Sequence, residues 1–308
     1  MTPGLGGGDF ICGDWGTSRL RLFLCGGGAV LERREGPGIA EAGGRAAEVF
    51  ASLTADWPAD LPAILSGMVG STIGWREAAY CACPAAPSAI AQAALRFEDK
   101  GRRIAIVPGL SCRNPTGTPD VMRGEETQIL GALRLHPDLA RDHRLLCLPG
   151  THAKWVQLED GTVTDFQTAL SGELYDLLSR HSVLARDSGP VDVASPAFAQ
   201  GLDIARDQHE AGLPHLLFST RARQVTGEMA KQDAASYLSG LVIGADVWSA
   251  VGASLSLFSA GRVTLIGSPA LTALYGKALA HYGAGASPMD GDAAVLAGLC
   301  FLHAQLFG

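Results

Sequence analysis

The stretch Phe10-Ile-Cys-Gly-Asp-Trp-Gly-Thr-Ser-Arg-Leu-Arg-Leu-Phe-Leu24 decides the fold. A short apolar run, Phe10–Cys12, is followed by a turn, Gly13–Ser18, and then by the alternating run Leu20–Leu24. Three glycines and a further apolar run, Ala29–Arg33, come next. Short runs of this kind, separated by Gly, Asp and Ser, are typical of β-strands joined by tight turns. The sequence therefore predicts three consecutive strands.

The same plan returns in the second half of the chain. An apolar run, Leu145–Leu148, leads into the turn Pro149-Gly-Thr-His-Ala-Lys154. Two further strand-like runs, Trp155–Leu158 and Thr162–Phe166, follow this turn. The recurrence of strand, Gly-Thr turn, strand and strand predicts a structural duplication.

Helical periodicity follows each of the two units. The predicted helices are Ala42–Trp57 after the first unit, and Gly172–His181 and Ser236–Ala250 after the second. Two more apolar strands, Pro62–Gly67 and Arg103–Pro108, each end in a loop that contains glycine. Strands that alternate with helices predict an α/β fold, in which ligands bind at loops beyond the strand ends.

The bulk composition limits the possible functions. A chain of 308 residues is expected to form two domains, each with its own core. The net charge of −7 argues against a nucleic-acid or anionic-membrane partner. Seven cysteines without disulfide or zinc spacing are typical of reduced thiols in a cytosol. We interpret them as buried small side chains, in preference to a redox or metal pair at Cys81 and Cys83.

Two segments bear on secretion and membrane attachment. Residues 1–8 have neither a basic start nor an apolar core, which predicts a loose tail and not a signal peptide. The apolar stretch Leu238–Ser259 approaches membrane length but carries Asp246 and many small residues. It is predicted to form a buried helix pair, or a helix and a strand. We therefore expect a cytoplasmic protein without a membrane anchor.

The first Gly-Thr turn is a candidate phosphate site. Gly16 allows the backbone to approach an anion, and Thr17 and Ser18 offer amides and hydroxyls. Asp14 in the same turn is suited to hold hydrated Mg²⁺ beside phosphates. An ordinary β-turn uses the same residue types for their turn geometry, so the motif alone leaves both interpretations open.

The second Gly-Thr turn strengthens the phosphate interpretation. Gly150 and Thr151 occupy the equivalent place in the second unit, so the two turns are expected to face each other across a cleft. His152 and Lys154 are either phosphate contacts or solvated turn residues. Neither turn has Walker A spacing, and no Gly-x-Gly-x-x-Gly motif after the first strand supports an oxidoreductase.

Two acidic residues begin a predicted helix within Val121–Ala132. Adjacent side chains diverge by about 100° on a helix, so only one carboxylate is expected to enter a cleft. We assign Glu125 as the general base for a substrate hydroxyl, with Glu126 as the alternative. Charge compensation at a helix start is the competing explanation.

Two further segments of interest lie near the C-terminus. Val263–Thr272 runs from a strand through a Gly-Ser turn into a helix. The backbone at Gly267 and Ser268 suits the flat face of a nucleoside, although an ordinary strand-to-helix connection uses the same residue types. Gly291–Leu299 begins a helix of small residues that can pack closely against a neighbour.

Taken in order, these segments resemble the phosphate-one, connect-one, phosphate-two, adenosine and connect-two segments of the superfamily of actin, heat-shock chaperone ATPases and sugar kinases. Within it, the chain resembles the 2-dehydro-3-deoxygalactonokinase family from about Phe10 to His303. The motifs that carry this closer resemblance are Leu65–Arg76, Met122–Gln128, Pro149–Trp155 and Ser171–Leu174.

The resemblance implies a duplicated, actin-like (ribonuclease H-like) α/β fold. Two lobes, residues 1–140 and 141–308, would surround an interlobe cleft, and a final helix would cross back. The activity implied is transfer of the ATP γ-phosphoryl group to the 6-hydroxyl of 2-dehydro-3-deoxy-D-galactonate, in galactonate catabolism. The small-molecule partners implied are ATP with Mg²⁺ and the sugar acid, and a homo-oligomer stays open.

The resemblance also assigns roles by motif. The implied roles are Mg²⁺ binding by Asp14, phosphate binding by Gly16, Thr17, Gly150 and Thr151, adenosine contact by Gly267 and Ser268, catalysis by Glu125, and a steadying contact from Arg19. One departure concerns the adenosine segment, where the superfamily commonly has paired glycines but Gly267 is followed here by Ser268 and Pro269.

The sugar acid carries a carboxylate, which calls for a planar bidentate donor. Arg76 and Arg123 are both candidates, and a structural role is the alternative for each. Gly70, Ser71 and Trp75 share the loop of Arg76 and are expected to line the path of the sugar. Two rival functions stay open: a kinase for another sugar or keto-deoxy sugar acid, and a non-catalytic actin-fold ATPase switch.

Overall fold

The computed structural model describes residues 8–252 and 263–308. The strands are β1 Phe10–Trp15, β2 Arg19–Gly26, β3 Ala29–Pro37, β4 Ala63–Gly67, β5 Cys81–Ala82, β6 Leu95–Asp99, β7 Arg102–Ile106, β8 Leu110–Arg113, β9 Pro119–Met122, β10 His143–Leu148, β11 Ala153–Glu159, β12 Thr162–Ala169, β13 Val263–Gly267 and β14 Ala286–Asp290. The helices are α1 Ile39–Ala42, α2 Ala46–Leu53, α3 Pro87–Gln92, α4 Glu125–Leu135, α5 Ser171–His181, α6 Pro196–Asp207, α7 Leu213–Leu217, α8 Ser219–Val225, α9 Ala234–Val251, α10 Pro269–His281 and α11 Gly291–Phe307.

Two sheets repeat one arrangement. The first has the order β3-β2-β1-β4-β7-β6, and the second has the order β12-β11-β10-β13-β14. In the first sheet β1, β2 and β3 pair antiparallel, and β1, β4 and β7 pair parallel. In the second sheet β10, β13 and β14 pair parallel. Three consecutive strands followed by parallel strands in both sheets confirm the predicted duplication. A third, small sheet contains β5, β8 and β9.

Contacts divide the chain into two compact units, as far as the structure describes them. The first unit contains Met1–Arg144, Val156–Phe166 and Gly291–Gly308, and the second contains Leu145–Trp155 and Gln167–Asp290. The predicted lobes, residues 1–140 and 141–308, are each one continuous stretch, whereas each of these units is built from separate stretches of the chain. The helix α11 lies in the first unit although it ends the chain.

Each unit has its own apolar core. In the first unit Ile11, Leu65 and Ile106, from three neighbouring strands, are fully buried beside Phe50 of α2. In the second unit a cluster around Leu265 includes residues of α6, α9 and α10. Burial on both faces of the parallel strands explains their continuous apolar sequences.

The predicted helix Ala42–Trp57 is wrong in its bounds. The chain forms two short helices here, α1 and α2, because Gly43 and Gly44 interrupt them with φ angles of +57° and +83°. Glycine adopts this left-handed region readily, and it terminates helices for that reason. The predicted helices Gly172–His181 and Ser236–Ala250 are confirmed by α5 and α9.

The apolar stretch around residue 240 forms a core helix. Among the described residues, Lys231–Val251 is the helix long and apolar enough to cross a bilayer, but 78% of its apolar window is buried within the protein. It packs against α6, α5 and α10. The rest of the predicted segment, residues 253–259, lies outside the described residues, and so do residues 1–7 of the predicted tail.

Candidate active site

Two parallel strands of the first unit end side by side. In the register of β1 and β4, Asp14 lies beside Ser66 and Trp15 lies beside Gly67. Gly67 has a φ of +91°, and a Cβ there would lie 2.8 Å from the Trp15 carbonyl oxygen, so the position requires glycine. A Cβ on Gly124 would lie 3.5 Å from the Gly67 Cα. The ends of β1 and β4 and the start of α4 therefore meet at Gly67.

Asp14 is held by Arg21, a residue to which the sequence motifs assigned no role. Arg21 faces Asp14 across the β1–β2 ladder and donates to its carboxylate at 2.5 Å. The other terminal nitrogen of Arg21 pairs with Asp292, in the first turn of α11. Arg21 could have been identified as the residue that faces Asp14 on the neighbouring strand. That pairing depends on the register of β1 and β2, which the sequence does not show.

The placement of Asp14 in a hairpin turn is wrong. Asp14 is in the strand β1, and only residues 16–18 form the turn. The Gly16 amide donates to the Arg19 carbonyl at 2.9 Å, while the first amides of α1 donate to the carbonyls of Gly16 and Thr17. Thr17 and Ser18 are exposed. The strand thus fixes the carboxylate, and the turn leaves its two hydroxyl side chains accessible to an anion.

The two glutamates at the start of α4 have different environments. Glu125 is half-buried, and its carboxylate accepts from the Arg123 amide at 3.1 Å. Glu126 is fully buried and accepts from the Gly124 amide and the Thr127 hydroxyl. Burial, together with the nearby Glu125 charge, raises the pKa of Glu126 to about 8. The accessible carboxylate of the pair is therefore that of Glu125.

The Arg123 guanidinium retains hydrogen-bond donors. Its Nη2 donates to the Ala78 carbonyl at 2.8 Å, and its Cζ lies 4.4 Å from the centre of the Tyr80 ring. Within residues 8–252 and 263–308, its buried Nε and Nη1 have no partner. Gly70 lies against it, since a Cβ there would be 2.8 Å from Nη1. Two buried donors of Arg123 are thus without a protein partner in the part of the chain that the structure describes.

The other residues predicted to bind the sugar acid, in the loop of Arg76, make contacts with neighbouring protein groups. Arg76 is exposed and stacks on Phe97 at 4.2 Å. Trp75 packs against Phe97 and Phe50, at the edge of the core of the first unit. Ser71 donates its hydroxyl to the Met68 carbonyl at 2.7 Å. Trp75 and Ser71 therefore support the shape of the loop through these contacts.

The second Gly-Thr turn is packed against the start of α5. A Cβ on Gly172 would lie 2.3 Å from the Gly150 carbonyl oxygen, so this contact requires glycine. The Glu173 amide donates to the Thr151 carbonyl at 2.9 Å. The Glu173 side chain lies 2.5 Å from His152 Nε2. The Ser171-Gly-Glu stretch thereby fixes the backbone of the turn.

Lys154 is not a solvated turn residue. It is in β11 and only 3% exposed, and its ammonium donates to the His152 carbonyl at 3.2 Å. His152 itself is exposed at the tip of the turn. The extension of β11 back to Ala153 buries the lysine, an effect that local sequence does not reveal.

One of the two adenosine candidates, Gly267, lines an open pocket in the second unit. The pocket has a volume of about 350 Å³ and is lined by Gly267, Pro269, Thr272, Ala273, Pro288, Met289 and Asp290. Gly267 lies at its wall, at the end of β13. Ser268 instead caps α10, where its hydroxyl accepts from the Leu271 amide at 3.4 Å. The mainly apolar wall suits the flat face of a base.

Asp14 is the one carboxylate for which the sequence predicted a role in binding Mg²⁺. Among the described residues there is no group of three or more His, Cys, Asp or Glu side chains arranged to hold a metal. Mg²⁺ in phosphoryl-transfer sites commonly takes one or two carboxylates together with substrate phosphates and waters. Asp14, near the end of β1 beside the first Gly-Thr turn, supplies one carboxylate of the kind such a site uses.

A family model described as 2-keto-3-deoxy-galactonokinase matches residues 14–302 of the chain. The chain belongs to this family. The match includes both Gly-Thr turns, α4 and the pocket at Gly267. The resemblance to this family in the sequence motifs is thereby confirmed.

Relatives of the 2-keto-3-deoxy-galactonokinase family match nearly the whole chain. A protein of Rhizobium meliloti (strain 1021), named "Probable 2-dehydro-3-deoxygalactonokinase DgoK1", is 41% identical over 306 residues, which are 95% of each chain. The 2-dehydro-3-deoxygalactonokinase of Escherichia coli (strain K12) is 36% identical over 295 residues, covering 94% of this chain and 96% of that one.

Solved structures agree with this family. The crystal structure of a "putative 2-dehydro-3-deoxygalactonokinase protein" from Sinorhizobium meliloti has a TM-score of 0.88 and 38% identity to this chain, covering 97% of this chain and 99% of that chain. The activator of 2-hydroxyisocaproyl-CoA dehydratase from Clostridium difficile has a TM-score of 0.50 at 9% identity, covering 97% and 95%. The second likeness shows the fold alone, and the fold of this family member is the expected duplicated actin-like α/β fold.

Proposed function

We propose that this protein transfers the γ-phosphoryl group of ATP to the 6-hydroxyl of 2-dehydro-3-deoxy-D-galactonate, in cytoplasmic galactonate catabolism. Membership of the 2-keto-3-deoxy-galactonokinase family supports the reaction, because relatives at 36% and 41% identity carry that activity in their names. The observation that best supports an acidic substrate is the Arg123 guanidinium with its unpartnered donors.

Arg123 suits the carboxylate of a sugar acid. A buried donor without a partner costs about 1–3 kcal/mol, and a bound carboxylate would remove that cost. Charge-assisted hydrogen bonds to a planar guanidinium also orient the acceptor. A neutral hexose has no group that needs such a partner. We therefore favour Arg123 over the exposed, ring-stacked Arg76 as the residue that binds the substrate carboxylate.

Glu125 and Asp14 are proposed to act at the reacting atoms. Glu125 would accept the proton of the attacking hydroxyl, because it is the accessible carboxylate at the start of α4. Asp14, oriented by Arg21, would hold Mg²⁺ through its hydration shell. The ion, when bound, neutralises charge on the transferring phosphoryl group.

Backbone and hydroxyl groups of the two turns are proposed to bind the polyphosphate. Gly16, Thr17 and Ser18 supply them in the first unit, and Gly150 and Thr151 supply them in the second. Glycine in each turn permits close approach of the backbone to an anion. The adenine would lie against the pocket wall at Gly267, with Ser268 ordering the following helix.

A coupled ADP-release assay tests the proposed function. The reaction contains MgATP with 2-dehydro-3-deoxy-D-galactonate, and parallel reactions contain its gluconate epimer, glucose or no acceptor. We expect release that depends on the galactonate derivative, with a much smaller kcat/KM for glucose. Release without any acceptor would favour an ATPase switch, and preference for another acceptor would overturn the substrate assignment.

A further inference from the structure

Asp246 is a carboxylate placed in the middle of the apolar core helix α9. It is 6% exposed, and its neighbours along the helix are mostly buried aliphatic or small residues. Moving a carboxylate from water into a protein core costs several kcal/mol unless hydrogen bonds compensate. The other residues of α9 are apolar enough to bury the helix without Asp246. The contacts of Asp246 must therefore explain why a carboxylate is found at this position.

Three side chains donate hydrogen bonds to Asp246. Trp155 Nε1 donates to Oδ1 at 2.8 Å. The hydroxyls of Ser171 and Tyr275 donate to Oδ2 at 2.7 and 2.6 Å. These donors come from β11, α5 and α10, and all belong to the second unit. One carboxylate thus connects three elements to the core helix.

Two of these donors lie next to the second Gly-Thr turn. Trp155 is in the strand that leaves the turn, four residues after Thr151. Ser171 begins α5, whose next two residues contact the turn directly. Gly172 lies against the Gly150 carbonyl, and the Glu173 amide donates to the Thr151 carbonyl. Asp246 therefore holds both the strand that follows the turn and the helix that packs on it.

We propose that Asp246 is a positioning residue that fixes the Gly150-Thr151 turn in the geometry that binds the phosphates of ATP, acting through Trp155 and Ser171. This inference rests on the proposed function in so far as the ligand is a nucleoside polyphosphate. A buried hydrogen-bond network specifies one arrangement of its members, because any other leaves buried donors unpaired. An apolar residue at 246 would leave the Trp155 indole and two hydroxyls without their acceptor.

The test compares nucleotide and sugar-acid parameters in Asp246→Asn. Indole only donates, so the amide oxygen would face Trp155, and the amide NH₂ would face the hydroxyls, which can accept. This variant keeps the volume but weakens the charge-assisted contacts. We expect KM for ATP, and Kd for a non-hydrolysable ATP analogue measured by calorimetry, to rise about tenfold. KM for the sugar acid should change by less than about twofold.

Tyr282→Phe is the matched control. Its hydroxyl donates to the Leu202 carbonyl at 2.8 Å in the core of the same unit, without a contact to the turn or to Asp246 in the described structure. The variant should lose stability while the ATP analogue binds as in the parent protein. If Asp246→Asn behaves like Tyr282→Phe, with a lower Tm and an unchanged Kd, the positioning role is wrong.

Two further variants keep the test decisive if Asp246→Asn does not fold. Ser171→Ala and Trp155→Phe each remove one donor, and each should raise the Kd for the analogue by a few-fold. Unchanged Kd values in both would overturn the inference, as would a parent protein that binds no nucleotide. A parent protein that binds the analogue but does not phosphorylate the sugar acid would refute the proposed function while leaving the Asp246 comparison valid.

Discussion

Glu125 and Glu126 are adjacent in sequence, yet folding gives them opposite properties. Glu126 is enclosed by α4 and its neighbours, and its carboxyl group satisfies the Gly124 amide at the start of the helix. Glu125 stays accessible. The proposed division of roles follows, with one glutamate shaping the helix start and the other accepting a proton.

The catalytic assignment is tested by replacing each glutamate with glutamine. Glu125→Gln should lower kcat by about 10²–10⁴-fold, because general-base catalysis contributes that range. Its Tm and its affinity for the ATP analogue should stay close to those of the parent protein. Glu126→Gln is the matched variant and should retain most of the activity. A Glu125→Gln protein with full kcat would refute the assignment.

Glu126 also predicts a pH dependence of stability. Its pKa in the folded protein is about 8, raised first by burial, against an ordinary value of 4.5. Between these values the folded protein retains a proton that the unfolded chain has lost, so stability falls as the pH rises. Glutamine cannot ionise. The unfolding free energy of Glu126→Gln should therefore rise relative to the parent, by a few kcal/mol between pH 5 and pH 8.

Denaturant titrations at several pH values provide this measurement. Glu125→Gln serves as the comparison, because it removes a neighbouring charge but leaves the buried carboxyl in place. Parallel stability curves for the parent protein and Glu126→Gln from pH 5 to pH 8 would contradict the expectation.

Arg123 and Arg76 offer a second comparison at the residue scale. Arg123→Lys should raise KM for the sugar acid about tenfold or more, because a lysine lacks the planar fork that binds a carboxylate. KM for ATP should not change. Arg76→Lys should leave both constants within about twofold in steady-state assays. A raised KM for the sugar acid in Arg76→Lys, with an unchanged KM in Arg123→Lys, would show that Arg76 binds the carboxylate instead.

Close helix packing in the first unit depends on two glycines. A Cβ on Gly131 of α4 would lie 1.7 Å from the Ala294 carbonyl oxygen, and one on Gly298 of α11 would lie 2.0 Å from the Thr127 carbonyl oxygen. These contacts confirm the expectation that the small-residue helix α11 packs tightly. They also hold α4, which carries Glu125, against the helix that carries Asp292.

Gly131→Ala should therefore destabilise the protein by about 3 kcal/mol, because the backbones must separate to admit a methyl group. Gly276→Ala in α10 is the matched control, since among the described residues its Cβ would meet Leu265 Cδ1 alone, at 3.6 Å. That change should be neutral or stabilise by about 0.5–1 kcal/mol. Equal Tm values for the two variants would show that α4 and α11 can separate at little cost.

At the scale of the whole molecule, each unit contains one of the Gly-Thr turns that we propose to bind phosphate, and nucleotide binding should therefore stabilise the fold. A ligand at 100 times its Kd adds about 2.7 kcal/mol to the unfolding free energy. A non-hydrolysable ATP analogue with Mg²⁺ should thus raise Tm by several degrees in a thermal scan.

Chelation isolates the contribution of the metal. With EDTA the shift in Tm produced by the analogue should shrink, because phosphate charges lose their counter-ion. In Asp14→Asn, the Tm shift produced by the analogue should be small both with Mg²⁺ and with EDTA. A shift that is equal with and without Mg²⁺ in the parent protein would contradict the role proposed for Asp14.

The sequence by itself determined part of the fold: the two three-strand units and several of the strands and helices that follow them. Alternating apolar runs, glycine-rich turns and helical periodicity are local properties, so the two three-strand units, α5 and α9 could be predicted from short windows of sequence. The same windows contain the motifs by which the family is recognised, including both Gly-Thr turns and the acidic pair. The bounds of the elements were predicted less well. Asp14 and Lys154 were predicted to lie in turns, but strand pairing extends β1 and β11 to include them.

Only the tertiary structure decided which groups meet. Strand register placed Arg21 opposite Asp14, and packing of α4 buried Glu126 while leaving Glu125 accessible. Folding also brought donors from three elements to Asp246, which the sequence marked only as a charge in an apolar run. Each of these outcomes depends on contacts between residues distant in the chain. The pattern of a short segment cannot encode them, because burial and pairing are properties of the assembled core.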